Sequence, residues 1–275
     1  MQNRTRARTG LRTPGDALSL AALVLCLVPL AFVLLPCVSL ILKVETADVL
    51  AALGKPSVVE AMVLSLTTSA TATVVSIVIG TPAAYYLARG EVRGKRIIDA
   101  ILNLPLVLPP VVAGVALLMA FGRRGLLGET LSGWGVNITF TTIAVVIAQT
   151  FMGLPLYIQG ARTGFQSVPR SLLDAARTLG LSDLKTFFKV TVPLSWPALV
   201  SGAILCWGRA VGEFGATIMF AGNMEGKTRT MPLAILTAMQ ADVESALVLA
   251  VLLLSFSCGI FVLARWVLSG KERGS

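Results

Sequence analysis

The residue types that most often perform catalysis are scarce in this sequence. The chain has 275 residues and no histidine, which is the commonest general base and metal ligand. Its cysteines, Cys26, Cys37, Cys206 and Cys258, lie in apolar stretches without metal-like spacing, as is typical of small packed hydrophobes. Hydrolase and metalloprotease motifs are also absent. The sequence therefore predicts a protein that is not an enzyme and has no catalytic, metal-binding or cofactor-binding residues.

One match to a nucleotide-binding motif occurs near the end of a long apolar run. Ala221, four further residues and Gly226-Lys227-Thr228 fit a relaxed phosphate-binding loop. Such a loop needs a strand before it, a helix after it and a domain that supplies a magnesium-binding carboxylate. This segment leaves no room for that domain, which favours a chance match. The sequence therefore predicts no nucleotide site on this chain.

Two other polar sets are suited to an anion or a protein partner. Arg209 and Glu213 are four residues apart in an apolar segment, so one helix face would hold them as an ion pair. This pair either lines a path for an anion or locks a helix bundle. The loop that follows holds Asn223, Lys227 and Arg229. This cluster fits contact with a negatively charged protein surface or an oxyanion, the rim of a path, or a solvated turn.

Membrane-spanning helices must position these residues. The sequence is 55% hydrophobic and 13% charged, about half the charged fraction of a soluble domain. Apolar runs bounded by charge predict helices, because backbone groups in lipid must bond internally. The predicted spans are 17–42, 60–88, 100–121, 139–161, 194–222 and 243–268. We therefore expect an all-α membrane protein with six transmembrane helices in residues 17–268, between a basic tail, 1–16, and a second tail, 269–275.

The distribution of charge predicts the orientation of these spans. The formal net charge is +9. With the amino terminus inside, sixteen Lys and Arg residues fall on the inner side and six on the outer side, as the positive-inside rule favours. Both termini are therefore expected to be cytoplasmic. The positive charge then reflects topology, and no nucleic-acid partner is expected.

Small and polar residues mark the expected helix contacts. A stripe in the second span repeats every four residues and suits either close helix packing or the lining of a pore. It consists of Thr68, Ala72, Ser76, Gly80 and Ala84. In the fourth span, Gln149 and Thr150 are predicted to form hydrogen bonds between helices.

The most distinctive segment lies between the fourth and fifth spans, at residues 165–193. Ser171 is predicted to cap a first short helix, and Gly180 to end it in the left-handed conformation. Ser182 is predicted to cap a second helix that Pro193 ends. A small apolar face on the first helix would sit in a partner's groove. That face consists of Leu172, Leu173, Ala175, Ala176 and Leu179.

The spacing in this segment resembles the EAA motif of ABC importer permeases. From Asp174 to Pro193 the sequence follows DAA-x3-G-x9-V-x-VP, against the family pattern EAA-x3-G-x9-I-x-LP. The resemblance implies the type I ABC importer permease fold, in which this segment is the coupling helix that docks on a cytoplasmic ATPase. The aspartate keeps the charge of the motif but shortens its reach. The implied ATPase-coupling residues are Leu172, Leu173, Asp174, Ala175, Ala176, Leu179, Gly180 and Pro193.

Two further stretches resemble the molybdate branch of these permeases. They are LPLVLPPVVAGVALLMAFGRRGLLG at 104–128 and GRAVGEFGATIMFAGNMEGKTRTMPLAIL at 208–236. Sulfate and thiosulfate permeases share the EFGA segment and the GKT-x-T-x-PL loop. The resemblance implies import of molybdate and tungstate, with sulfate or thiosulfate as the alternative.

The resemblance also implies a set of partners. The chain would form a homodimer, since one chain supplies one coupling helix, in the lipid of a prokaryotic plasma membrane. It would bind two cytoplasmic ABC ATPase subunits, which carry the ATP and magnesium. It would also bind an extracytoplasmic molybdate-binding protein, for which Asn223, Lys227 and Arg229 are the expected contact or the outer rim of the path. The alternative from another class is a stand-alone anion channel or secondary carrier, in which the coupling segment would be structural.

Overall fold

The structure, a computed structural model, describes residues 16–90 and 94–272. Most of the predicted basic tail, residues 1–15, and the end of the second tail, residues 273–275, lie outside the described residues. Residues 91–93 do so as well, and with them one of the predicted inner arginines, Arg93.

The chain divides into two units, residues 1–45 and 46–275. In the described part of the first unit, helix α1 spans Asp16–Leu42 and corresponds to the predicted span 17–42. The second unit holds the other helices, joined by short turns. These are α2 (Thr46–Leu53), α3 (Pro56–Arg89), α4 (Lys95–Val107), α5 (Pro110–Phe121), α6 (Gly128–Gly133), α7 (Thr142–Ser167), α8 (Arg170–Thr178), α9 (Asp183–Thr186), α10 (Val192–Val211), α11 (Gly215–Phe220), α12 (Met231–Ala241) and α13 (Val243–Glu272).

The predicted all-α class is confirmed. The described residues contain no strand, and among them five helical stretches are long and apolar enough to cross a membrane. A sixth is obtained when α4 and α5 are counted as one bent span. The six-span prediction therefore agrees with the structure in number, although two of its spans are interrupted.

The first interruption falls in the predicted span 100–121. The axes of α4 and α5 differ by 114°. Leu108, between them, has an extended backbone conformation, with ψ of 133°. It precedes Pro109 and Pro110, and a proline disfavours helical geometry in the residue before it and lacks an N–H to donate. The proline pair therefore ends one helix and begins another.

The second interruption falls in the predicted span 194–222. Helix α10 ends at Val211, and α11 begins at Gly215. Between them, a carboxylate oxygen of Glu213 accepts a hydrogen bond from the N–H of Ala216, at 2.8 Å. A helix start leaves N–H groups without intrahelical partners, and Glu213 satisfies one of them. A buried glutamate thus stabilises a break that hydropathy alone does not reveal.

Helix α7 lies at the centre of the second unit, with α3 and α10 packed against it. A Cβ atom added to Gly80 of α3 would lie 2.8 Å from the Tyr157 ring, and one added to Gly160 would lie 2.7 Å from the Cα of Gly202 in α10. The α3 stripe of Thr68, Ala72, Ser76, Gly80 and Ala84 is buried. Of its two predicted roles, close helix packing is therefore the one that the structure supports.

Hydrogen bonds identify the two ends of this bundle. At one end Arg89 donates to the carbonyl oxygen of Val168, at 2.8 Å, immediately before α8. At the other end Thr142 donates to the carbonyl oxygen of Lys227, and the N–H of Met231 donates to Ser65. We refer to these as the α8 end and the opposite end.

Candidate functional site

Helix α8 starts and stops where backbone geometry requires it. Val168 and Pro169 are extended, and α8 begins at Arg170 without a side-chain cap, so the predicted Ser171 cap is wrong. The proline fixes its own φ and favours an extended residue before it, which sets the start of the helix. The predicted left-handed stop at Gly180 is confirmed, with φ of +83°. The N–H of Leu181 closes the turn by donating to Ala176, at 3.1 Å.

The two faces of α8 differ in exposure. Leu173 and Ala176 are buried against the chain's own bundle. Leu172 is 45% exposed and Leu179 is 81% exposed. The remaining predicted docking residues, Asp174, Ala175, Gly180 and Pro193, are also exposed. The predicted set thus separates into exposed residues in and just after α8, two inward residues that hold the helix in place, and Pro193, which lies apart in α10.

An aromatic cluster near α8 joins α3, α7 and the turn between α9 and α10. Tyr85 of α3 makes edge-to-face contacts with Phe165 of α7, at 5.6 Å between ring centroids, and with Phe187, at 4.9 Å. Phe165 and Phe187 also contact each other. Aromatic pairs of this geometry are favourable beyond their burial. No sequence pattern predicted this cluster, because its members are distant in sequence.

Arg177 links the two sides of the turn after α8. Its guanidinium donates to Asp183 at 3.0 Å and to Asp174 at 3.4 Å. The hydrogen bond to Asp183 raises the pKa of Arg177 above its ordinary value. The aspartate of the EAA-like motif is therefore already engaged within the chain, through an exposed ion-pair network.

The second predicted helix of this segment starts as expected but does not end at Pro193. The Ser182 side chain caps α9 by accepting from the N–H of Lys185. A π-helical turn, Phe187–Thr191, then leads directly into α10. In that turn the N–H of Val192 bonds to the carbonyl of Phe187, five residues back. This shifted register leads into Pro193 in the first turn of α10, where no N–H is needed.

The predicted ion pair of Arg209 and Glu213 is present at the break after α10. Arg209 approaches a carboxylate oxygen of Glu213 at 2.5 Å, and Glu213 is fully buried whereas Arg209 is partly exposed. The other carboxylate oxygen accepts from Ala216, at the start of α11. The pair thus fixes α11 relative to α10.

Helix α11 packs tightly on α5. A Cβ atom added to Gly114 would lie 2.7 Å from the Cβ of Met219 and 2.8 Å from the carbonyl oxygen of Ala216. One added to Gly215 would lie 2.7 Å from Pro110. Both helices also contribute to an apolar cluster with α7, which includes Ala148 and Met152. The short helices after the two interruptions therefore close against each other.

Gln149 and Thr150 of α7 do not form the predicted interhelical hydrogen bonds. Both residues are buried. Among the residues that the structure describes, neither the Gln149 carboxamide nor the Thr150 hydroxyl has a hydrogen-bond partner. Thr217 of α11 is also buried, and its hydroxyl is likewise without a partner in the described part of the chain.

The loop at the opposite end brings together two of its three predicted residues. Arg229 donates to Asn223 at 3.0 Å and to Glu225 at 2.8 Å, and Asn223 donates to Thr237 at 2.9 Å. Lys227 is separate, with its side chain at the exposed tip. Asn223 and Arg229 therefore shape the loop, and the tip is the part that is available to a partner.

Comparison with known proteins assigns the family. The model of the family described as "binding-protein-dependent transport system inner membrane component" matches residues 76–270. The chain belongs to this family. It is therefore a multi-pass inner-membrane protein and the membrane component of a transport system.

Relatives of this inner membrane component are similar over most of its length. It is 41% identical to the probable transport system permease protein NifC of Clostridium pasteurianum, over 90% of this chain and 87% of that protein. It is 41% identical to the molybdenum transport system permease protein ModB of Mycobacterium tuberculosis, over 82% and 85%. The molybdenum transport system permease protein ModB of Escherichia coli is 42% identical, over 66% and 80%.

Solved structures support the type I ABC importer permease fold for this inner membrane component. A chain of a bacterial ABC transporter for alginate import superposes with a TM-score of 0.73 at 13% identity, over 92% of this chain and 96% of that one. A chain of the MetNI methionine ABC transporter gives a TM-score of 0.59 at 17% identity, over 78% and 94%. At these identities the likeness concerns the fold.

No metal site is evident in the described ranges, 16–90 and 94–272, where no three Cys, Asp or Glu side chains lie close enough together to hold an ion.

Proposed function

We propose that the chain is the transmembrane permease subunit of an ATP-driven importer for molybdate and tungstate. The molybdenum permeases among its relatives support this substrate class. The chain itself would hydrolyse no ATP and bind no cofactor. The ATP and magnesium would be held by a separate ATPase subunit.

The outward face of α8 is the observation that carries this proposal. Leu172, Asp174, Ala175, Leu179 and Gly180 form the surface that docks on the ATPase. Helices that insert into a partner's groove typically present exposed leucines on one face, and the opposite face of α8 is packed on the bundle. Leu173 and Ala176 contribute by holding α8 against the bundle.

Two copies of the chain would form the translocation path. One chain carries one α8, and two ATPase subunits need two docking helices. Closure of the ATPase dimer on ATP draws the two α8 loops together and favours the outward-open state of the permease. The coupling follows from the higher affinity of the closed ATPase dimer for that state, and it acts in both directions.

The opposite end would face the binding protein, with both termini and α8 in the cytoplasm. The exposed tip around Lys227 is the proposed contact with that protein, held in shape by Asn223 and Arg229. Arg209 and Glu213 are assigned a locking role, because the glutamate also binds the start of α11. Lining of the path is not required to account for this pair.

Reconstitution of the full complex tests the substrate and the class of transporter. With the ATPase and binding protein of the same system in vesicles, molybdate-loaded binding protein should stimulate ATP hydrolysis and molybdate uptake. Stimulation by sulfate in place of molybdate would identify a sulfate permease. Uptake that persists without the ATPase would instead indicate a channel or secondary carrier.

A matched pair of substitutions tests the docking surface. Leu179→Asp should abolish co-purification of the ATPase, because a charge would replace an apolar contact in the groove. Leu126→Asp changes a leucine that is 90% exposed in the connection between α5 and α7, and it should leave the ATPase bound. Equal retention of the ATPase by both variants would refute the assignment of α8.

A further inference from the structure

The side chains on one face of α7 change from exposed to buried along the length of the helix. Gln149, Met152, Leu156, Gln159 and Thr163 are spaced by three or four residues, so they share one face of the helix. Towards the α8 end, Gln159 and Thr163 are exposed, and Gln159 donates to Asn103 of α4 at 2.6 Å. Towards the opposite end, Met152 and Gln149 are buried. The face thus carries polar side chains at its exposed end, Gln159 and Thr163, and another at its buried end, Gln149, with Leu156 and Met152 between them.

At Met152 this face of α7 is covered by α5 and α11. Met152 belongs to the apolar cluster that includes Ala113 of α5 and Ala216 of α11. The two short helices meet at Gly114 with almost no free space. If the α8 end is cytoplasmic, as proposed above, the exposed part of this face lies towards the cytoplasm and its buried part towards the outside.

At the buried end of this face, packing alone does not explain the side chain of Gln149. Gln149 is 0% exposed, and within the described residues neither atom of its carboxamide has a hydrogen-bond partner. Burial of a polar group without a partner is unfavourable, and buried polar groups are usually satisfied. Thr217, on the covering helix α11, has a buried hydroxyl in the same condition. An apolar residue would serve better at position 149 if packing were its only role.

We propose that Gln149 is an anion-contacting residue of the translocation path, covered by α11 in this state and uncovered when α5 and α11 separate. The inference rests on the proposed function. A carboxamide offers two N–H donors and no charge. It suits a tetrahedral oxyanion such as molybdate, which it would hold by hydrogen bonds yet release readily. Gln159 and Thr163 then line the exit towards the α8 end.

Replacement of the carboxamide separates a transport role from a packing role. In the complete transporter, Gln149→Leu should raise the Tm by a few degrees, because it removes a buried polar group without a partner. The same change should lower molybdate uptake at least tenfold, with ATPase association retained. Thr150→Val is the matched control, because it removes another unpartnered group that points about 100° away from Gln149 around the helix and is therefore off the shared face. Its uptake should remain within twofold of wild type. Uptake by Gln149→Leu equal to that of Thr150→Val would overturn the proposal.

Cysteine accessibility tests the proposed uncovering without reference to any substrate. In a chain whose four native cysteines are replaced by alanine, Gln149→Cys should resist a charged thiol reagent without nucleotide and react when vanadate and ATP trap the complex. Thr163→Cys, exposed in this state, should react without nucleotide. Protection of Gln149→Cys in both states would overturn the inference. If Gln149→Leu fails to assemble, the labelling experiment alone decides between a transport role and a packing role. Failure of the proposed function would appear separately, as a wild-type complex that takes up neither molybdate nor sulfate.

Discussion

Gly180 shows how a single residue fixes the shape of the α8 loop. Its φ of +83° lies in the left-handed region, and a Cβ atom added there would meet no heavy atom within 4 Å. Any penalty for a side chain therefore comes from the backbone alone. A left-handed conformation costs an alanine roughly 1–2 kcal/mol, and asparagine tolerates it better.

Gly180→Ala should therefore weaken the α8 stop and reduce ATPase association, and Gly180→Asn should do so less. The measurements are the Tm of the complex and the fraction of ATPase that co-purifies. Gly133→Ala is a suitable control, because position 133 also has free space around it and lacks the positive φ. If Gly180→Ala behaves like Gly133→Ala, the left-handed turn does not set the docking geometry.

The hydrogen bonds to Asp242, at the start of α13, predict that the stability of the fold depends on pH. Hydrogen bonds from the Ser245 side chain, then from the N–H groups of Ser245 and Glu244, lower the pKa of Asp242 below the ordinary 3.8. A pKa that is lower in the folded state stabilises the fold above about pH 4, and this contribution is lost as the pH falls through the folded pKa. The Tm of the wild type should then fall more steeply between pH 4 and pH 3 than that of Asp242→Asn. Asp48→Asn, at an exposed position in α2, should keep the wild-type profile, and identical profiles for all three would contradict the capping role.

At the level of single residues, local chemistry was predictable and tertiary contacts were not. Gly180 and Ser182 were predicted correctly because turn and cap preferences depend on adjacent backbone. Ser171 was wrong because Pro169 starts the helix two residues earlier. The division of Leu172 from Leu173 into outward and inward positions depends on what α8 packs against, which the sequence of α8 does not contain.

Among the helices, the sequence predicted the spans but not their interruptions. Hydropathy averages over a window, and 100–121 and 194–222 both remain apolar through their breaks. The first break depends on Leu108 and the proline pair, the second on Glu213 binding the start of α11. A buried acid in an apolar run was the available signal for the second break, although pairing with Arg209 accounted for it equally well.

Close packing of α5 on α11 gives a prediction for these interrupted helices. Gly114→Ala would place a Cβ atom 2.8 Å from the Ala216 carbonyl oxygen, a backbone atom that has little freedom to move. Overpacking of this kind costs about 1–3 kcal/mol, so the Tm should fall and the contact should open. Gly208→Ala in α10 has free space around its Cβ and should be neutral or slightly stabilising, since alanine favours helix. A Tm for Gly114→Ala no lower than that for Gly208→Ala would mean that α5 and α11 adjust freely.

The second unit consists of a close-packed core with the α8 loop at one end and the α5–α11 contact towards the other. Helix α7 contacts α3 and α10 through glycines, an arrangement that permits little sliding because close-packed interiors do not deform continuously. The α8 loop at one end and the α5–α11 contact at the other both rest on this core. Motion of the loop would therefore reach the opposite end through displacement of whole helices, which suits alternating access in a dimer.

Orientation is the prediction that depends on the molecule as a whole. Most Lys and Arg residues of the second unit lie in segments at the α8 end, including Arg89, Arg170 and Lys185, so the positive-inside rule predicts that this end is cytoplasmic. In a chain without native cysteines, an impermeant thiol reagent applied to intact spheroplasts should label Lys227→Cys and spare Thr178→Cys. Both positions are exposed, so a difference in labelling reports sidedness, and permeabilised cells should label both. The reverse pattern would place α8 away from cytoplasmic ATP, and a coupling role for α8 could then not be maintained.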